Sequence, residues 1–411
     1  MLVLFAAVTT NWGAVSWNDQ SRMATVQGLV EHHTLAIDQS RFIETGDKVF
    51  IRGHFYSDKP PLPSIIGALV YFPLYHLGLR LDLGNNTAYF LTTLCTIKLF
   101  YLLGLAAFCK ALEFTGTNRD VRILLTAALG VGSLYLSWSS VFNNHALAAS
   151  FLIIGFFFLL KAKFTDSKKL PLFLSALFLA SAGVADIPMS IFYAGFFLLV
   201  LFNKKLRGDA VFFLIPAVLV YLPYLLINYH ISGSIMPVQM NKAFFNYPGS
   251  QWIDGEGLSG VKANSLDFIL HYTVALLFGN RGFVIYNPLL IMAAYYLVAH
   301  RDERFDHEAL TIGACSLIVL GYYAVMTKHQ SGCSYSIRWF VPLIPLLYFF
   351  LYPVFTKGKK VSLIFFSVLL SGSIAVAAVG VINPWSDLSI SEKPFITNLV
   401  ELAWTVSRSC W

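Results

Sequence analysis

The sequence predicts an all-α fold: a polytopic membrane protein of about eleven spanning helices, with interfacial helices on its outer face. Three observations lead there. Of 411 residues, 57% are hydrophobic and 12% charged, with 36 Phe, 20 Tyr and 8 Trp and a mean hydropathy of +0.65. That is more apolar surface than a water-soluble domain can bury. The apolar runs are continuous rather than alternating, so helices, not barrel strands, must satisfy the backbone within lipid. Finally, Lys and Arg cluster in short loops between the apolar runs, which is how alternating turns declare their side of a membrane.

Taken in order, spans are expected at 1–17, 88–113, 121–141, 145–161, 170–185, 188–203, 210–229, 283–300, 309–327, 338–356 and 361–382. Basic clusters at 110–122, 161–169, 204–207, 301–304 and 357–360 are assigned to the cytoplasm. The turns at 143–145, 186–188, 230–267 and 328–338 and the tail after 383 then face outward. This places the N-terminus inside and the C-terminus outside a cytoplasmic membrane. Residues 1–16 carry no basic stretch and no small-residue cleavage site, so they read as the first span rather than a signal peptide.

The stretch 62–79 is apolar but short, and Pro61, Pro63 and Pro73 favour an interfacial or re-entrant helix on the outer side. The whole of 1–411 reads as one membrane domain, with 18–87 as a first outer loop and 230–282 as a long second one. That second loop holds Gly233, Pro237, Pro248, Gly249, Gly255 and Gly257. Its aromatic residues Phe244, Phe245, Tyr247 and Trp252 suit a segment that folds over the membrane face or touches a substrate. Residues 266–278 suit a second interfacial helix. In the outer tail, 383–411, Trp385, Trp404 and Trp411 are interface anchors. No soluble domain of ordinary size, low-complexity run or internal repeat stands out.

A net charge of +7 does not point to nucleic acid here, because much of the excess lies in inter-helix loops that set topology and meet anionic lipid. The five cysteines have no metal-ligand spacing. Cys95, Cys109 and Cys315 lie in apolar runs, whereas Cys333 and Cys410 fall in outer segments where an oxidising compartment would let them pair.

Charge concentrates between Trp17 and Pro61, and charge beside lipid is costly enough to mark a working surface. Asp19 and Arg22 are three residues apart at the start of a helix, where Asn18 or Asp19 is an acceptable cap. Lys59 sits in S-D-K-P-P-L, a rigid turn that either offers an ammonium to a lipid phosphate or lets it snorkel outward. Arg281 and Arg338 are each either a bidentate phosphate ligand or an anchor. The small residues of S-G-C-S-Y-S-I-R favour function for Arg338. Asp186, in A-D-I-P, reads as an N-cap. His145 either binds substrate or is a satisfied structural histidine. Tyr286 and Asn287 are packing or head-group contacts. His32 and His33 diverge on a helix and make no zinc pair, and Asp38, Glu44 and Asp47 form either a solvated loop or a cation site.

The D-x-x-R after an apolar first segment, followed by K-P-P-L opening an interfacial helix, resembles the start of the integral-membrane glycosyltransferases of the GT-C superfamily. The similarity is nearest to the branch of protein O-mannosyltransferases and the lipid A aminoarabinose transferase. F-N-N-H, R-G-F-V-I-Y-N-P-L-L and S-G-C-S-Y-S-I-R-W-F extend it across the chain. The resemblance implies inverting transfer of a sugar from a polyprenyl-phosphate donor to a glycan, lipid or protein acceptor at the outer membrane face. Asp19 would be the catalytic base, and Arg22 and Lys59, joined by Arg338 and Arg281, would hold the phosphate. On the residues themselves, His145, Asn144 and Tyr286 are candidate substrate contacts, no cofactor is expected, and a divalent metal is not supported.

The chain departs from the family in having Gln20 where a second acid often follows the first, and Asn143, Asn144 and His145 where another acid is common. Two other readings stay open. One is a ligase or polymerase using a polyprenyl-pyrophosphate donor; the other is a non-catalytic protein that binds or moves lipid-linked sugars. Transport would call for several charges within mid-spans, and Lys98 stands almost alone there.

Overall fold

Ser16 opens the helix on which the first hydrophilic segment is built. Its hydroxyl accepts from the amides of Asn18 and Asp19 while the Asp19 carboxylate returns to the Ser16 amide, a reciprocal capping box that starts α2 (Trp17–Glu31). The computed structural model describes residues 2–253, 265–299, 302–387 and 389–409. Ahead of α2, α1 (Leu2–Val8) is shorter than the expected first span. Thr9 and Thr10 turn their hydroxyls back onto the carbonyls of Phe5 and Ala6, and the chain then runs through non-helical backbone to Ser16.

After α2 comes the departure from an all-helical chain, a hairpin of β1 (Lys48–Ile51) and β2 (His54–Ser57) paired antiparallel, Lys48 opposite Ser57. Arg52 and Gly53 make its two-residue turn, both with positive φ (53° and 89°), the geometry that matches strand twist. The hairpin is tied to α2 through the Ser21 hydroxyl, 2.5 Å from the Asp47 carbonyl and 2.6 Å from Ser57 Oγ. α3 (Leu62–His76) then follows Pro60 and Pro61 and packs along α2, with the Ser64 hydroxyl on the Arg22 carbonyl at 3.0 Å. Leu69, Phe72 and Leu77 stay exposed on its other side, as an interfacial helix requires.

The bundle continues with α4 (Thr87–Thr115), α5 (Arg119–Val131), α6 (Leu134–Trp138), α7 (Asn144–Phe164), α8 (Lys169–Ala185), α9 (Ile187–Phe202), α10 (Val211–Ser232), α11 (Leu266–Phe278), α12 (Leu290–Ala299), α13 (Asp306–Met326), α14 (Arg338–Thr356), α15 (Lys360–Ile382) and α16 (Pro394–Ser409). Among the described residues, six helices are long and apolar enough to cross a membrane: α4, α7, α10, α13, α14 and α15. α7 runs against α4 and α8 with 16 of its 21 residues buried.

Three expected spans are broken, each for a local reason. The one at 121–141 divides at Gly132, after which Ser133 caps α6. The one at 283–300 is helical only from Leu290, because Gly279, Gly282 and Pro288 hold the preceding segment in turns. α14 starts as a 3₁₀ turn containing Pro342 and is interrupted again before Pro353.

The long loop covers the hairpin. Val238 and Phe245 pack with Val49 and Ile51 in a small separate core, Tyr247 stacks edge-on to Phe55, and the Trp252 indole donates to the Gly46 carbonyl at 3.0 Å. Gly255 and Gly257, like Trp411 and Cys410 in the tail, lie outside the described residues. Cys333 is an exposed free thiol.

Candidate active site

The turns that the basic-loop rule groups on one side converge on a single cavity of about 540 Å³. The first hydrophilic segment supplies Asn18, Arg22, Asp47, Asp58 and Lys59, the start of α7 supplies Asn144 and His145, and the α8–α9 junction supplies Asp186. Lys242 and Trp252 come from the long loop, and His329 and Arg338 from the segment between α13 and α14.

Its charges fall into three groups. Lys59 is neutralised twice over, with Nζ 2.8 Å from Asp47 and 2.9 Å from Asp58. Burial, reinforced by Asp47, raises the Asp58 carboxyl above the ordinary carboxylate range, with Lys59 opposing, and its second oxygen has no partner. His145 and Asp186 form a dyad, Nδ1 to Oδ2 at 2.7 Å, both side chains almost fully buried. Because a carboxylate only accepts, Nδ1 carries the proton and Nε2 presents a lone pair.

The third group is cationic. Arg22 is 1% exposed, yet its guanidinium meets only neutral acceptors: Asn144 Oδ1 at 2.7 Å, and Asn18 Oδ1 and the Pro60 carbonyl at 3.4 Å. Burial lowers its pKa to about 10, which leaves it charged at neutral pH. The Arg338 guanidinium lies over the Trp385 ring at 4.9 Å, has no ion-pair partner among the described residues, and its buried Nε has no hydrogen-bond partner. Both ring nitrogens of His329 are also buried without partners, and burial lowers that imidazole to about 4. Buried polar atoms are normally satisfied, so the unpartnered atoms of Asp58, His329 and Arg338 along this cavity mark a place for a ligand. A guanidinium with no ion pair in such a cavity favours an anionic ligand.

The expectations for individual residues divide accordingly. Arg22, Lys59, Arg338, Asn144 and His145 line the cavity. Asp19 does not. Its carboxylate is fully buried and accepts from the Ser16 amide at 2.8 Å, the Ser16 hydroxyl at 2.6 Å, the Val15 amide at 3.2 Å and the Tyr89 hydroxyl at 3.3 Å. At the third helical position it completes the cap of α2, which gives it a structural task in place of the expected base role. Arg281 and Tyr286 do not line this cavity either. Arg281 donates to the Gly332 carbonyl, while Tyr286 lines a second, mainly apolar cavity of about 510 Å³ beside α16.

Asp186 stands at the expected cap position but makes no capping bond, because its carboxylate serves His145 instead. Asp38 turns to His54 at 3.2 Å rather than joining Asp47, and among the described residues no three His, Cys, Asp or Glu groups gather as metal ligands. Sequence reasoning missed Asp58, His329 and the pairing of Asp186. Asp58 adjoins Lys59 in S-D-K, and His329 sits in a turn already assigned to the outer side, so both were within reach of the topology argument.

The fold and this cavity define a polytopic helical membrane protein with a charged cavity assembled from turns on one side of its bundle. The chain has the fold of the GT-C membrane glycosyltransferases. ArnT from Cupriavidus metallidurans bound to undecaprenyl phosphate superimposes with a TM-score of 0.59 at 13% identity, over 92% of this chain and 68% of that one. The arabinofuranosyltransferase AftD from Mycobacteria gives 0.54 at 15% identity, over 94% of this chain and 27% of its own. The oligosaccharyltransferase AglB from Archaeoglobus fulgidus, in complex with an inhibitory peptide and a dolichol-phosphate, gives 0.51 at 12% identity, over 92% of this chain and 55% of its own. No protein-family model matches the sequence, and no curated protein matches it.

Proposed function

We propose that the protein is an inverting glycosyltransferase that takes a sugar from a polyprenyl-phosphate donor at the outer face of the cytoplasmic membrane. The observation that carries this reading is a pair of arginines, the buried Arg22 and the half-buried Arg338, that face one cavity without an ion pair to a carboxylate among the described residues. A sugar phosphate loses its anomeric C–O bond as charge builds on the departing phosphate, and fixed cations in a site of low dielectric stabilise that charge. Guanidinium groups suit the task because their donors match phosphate oxygens in pairs. His329, with both nitrogens free, is placed to donate a further hydrogen bond once an anion arrives. Lys59 contributes differently from expectation, since its ammonium organises Asp47 and Asp58 on the same wall. ArnT and AglB, which share the fold, are seen with undecaprenyl phosphate and a dolichol-phosphate respectively, and this agrees with a lipid phosphate as the anion here.

The test is binding of undecaprenyl phosphate to the purified protein in lipid nanodiscs, read by native mass spectrometry, together with transfer from a panel of radiolabelled undecaprenyl-phosphate sugars to membrane acceptors. Arg338→Ala and Arg22→Ala should each weaken lipid-phosphate binding at least tenfold, and transfer about 100-fold or more. Binding unaffected by both substitutions would remove the basis of the reading.

A further inference from the structure

The cavity holds three carboxylates, and their partners decide which group is left to receive a proton. Asp47 and Asp58 are both ion-paired with Lys59, at 2.8 and 2.9 Å, so either would have to give up that contact to take a proton. Asp186 is committed to His145. Asp19, the acid that the sequence offers first, is enclosed in the cap of α2. What remains is His145 Nε2, which has no partner among the described residues and belongs to a side chain lining the cavity.

The imidazole is held from several directions. Asn143 caps α7 through its side-chain oxygen on the Ala146 amide, which fixes the first turn on which His145 sits. Trp138 packs edge-on to the ring, with centroids 6.4 Å apart. Asp186 fixes its orientation and tautomer at 2.7 Å. An imidazole with Nδ1–H on a buried carboxylate and Nε2 free toward a cavity is the arrangement of a general base.

Resting on the proposed sugar transfer, we infer that His145 is the catalytic base that deprotonates the acceptor hydroxyl, with Asp186 as its positioning residue. The hydroxyl proton passes to Nε2 as the acceptor oxygen bonds to the anomeric carbon. The anomeric carbon–phosphate oxygen bond breaks, and its electron pair leaves with the lipid phosphate, whose charge Arg22 and Arg338 receive. The imidazolium formed is balanced by Asp186 and returns its proton to solvent. The anion site and the proton acceptor thus meet at Asn144 and His145, adjacent residues at the start of α7, because Asn144 holds Arg22 at 2.7 Å.

The experiment uses the full chain in nanodiscs, with the same panel of radiolabelled undecaprenyl-phosphate sugars. His145→Gln should lower kcat at least about 100-fold while binding undecaprenyl phosphate as the parent does, which also shows that the variant is folded. His145→Ala should be rescued in part by added imidazole, a response that a packing role would not give. Asp186→Asn should lower kcat less and move the acid limb of the kcat profile to lower pH, since the carboxylate that stabilises the imidazolium is gone. The charged and titratable groups facing this ring are Asp186, Arg22 and Arg338, with His329 on the same cavity wall, and only the first is changed.

Full activity in His145→Gln, or loss of transfer in Asp58→Asn with His145→Gln spared, would overturn the assignment and leave sugar transfer standing. A parent protein that transfers from no donor in the panel would overturn both.

Discussion

The two ends of α7 carry charge in opposite ways. The helix has 21 residues and so spans roughly 30 Å. At its far end every prominent charge is answered. Lys163 meets both oxygens of Glu308 at 2.7 and 2.8 Å, along with the Arg304 carbonyl. Arg304 clasps Asp302 at 2.7 Å and donates to the carbonyls of Phe114 and Thr115, and Asp302 accepts from the Tyr352 hydroxyl at 2.8 Å. At the near end Arg22 and Arg338 make no ion pair among the described residues, and neither ring nitrogen of His329 has a hydrogen-bond partner. The closed network joins the basic loops to one another and asks for nothing more. The open one leaves a desolvation cost that only a ligand can offset.

The largest expected effect tests that contrast directly. Replacing both Arg22 and Arg338 by Ala should abolish lipid-phosphate binding and transfer, while the melting temperature changes little, since neither guanidinium makes an ion pair among the described residues. A large fall in melting temperature would mean that the arginines brace the fold and the contrast is false.

Next comes Glu308→Ala at the other end. Glu308 is fully buried, so its loss strands Lys163 and should cost about 3–5 kcal/mol of stability. Transfer per folded molecule should be unchanged, as measured after correcting for the folded fraction.

The third effect is a pH dependence. Burial holds the His329 imidazole at about 4, below its ordinary value of 6.5. Between these values the unfolded chain binds the proton first, so stability from this group is intact above about 6.5 and is lost as pH falls toward 4. Thermal melts should show that slope, His329→Gln should flatten it, and undecaprenyl phosphate should oppose it by favouring the imidazolium.

Smallest is Asp19→Asn, expected to cost about 1 kcal/mol through the weakened cap of α2, with transfer retained within a few-fold. The Asp19 carboxyl, pushed up to about 6 by burial, acts in the opposite sense to His329. The folded state binds its proton first, so stability is gained as pH falls from about 6 to 3.8, and the Asn variant should lack that gain. Loss of transfer with normal melting would return Asp19 to the chemistry.

Several things were legible in the chain itself. Apolar composition and continuous runs are summed over many residues, and this makes the helical membrane fold readable without coordinates. The basic loops also sorted the turns, and the turns assigned to one side do line one cavity. Arg22, Lys59, His145 and Arg338 could be marked because a charge between apolar helices is rare, and rarity is a local property.

Pairing was not legible, because it is decided by contacts across the chain. Asp186 and His145 are separated by 41 positions, and Arg22 and Asn144 by 122. Asp19 and Asp58 look equally available in the sequence, yet the backbone of α2 turns the first into its own cap while the Pro60–Pro61 turn brings the second to the cavity. The sequence by itself determined which residues are costly to bury. Only the tertiary structure decided which of them are compensated, because a buried charge acts through the few ångströms around it and those neighbours come from distant turns.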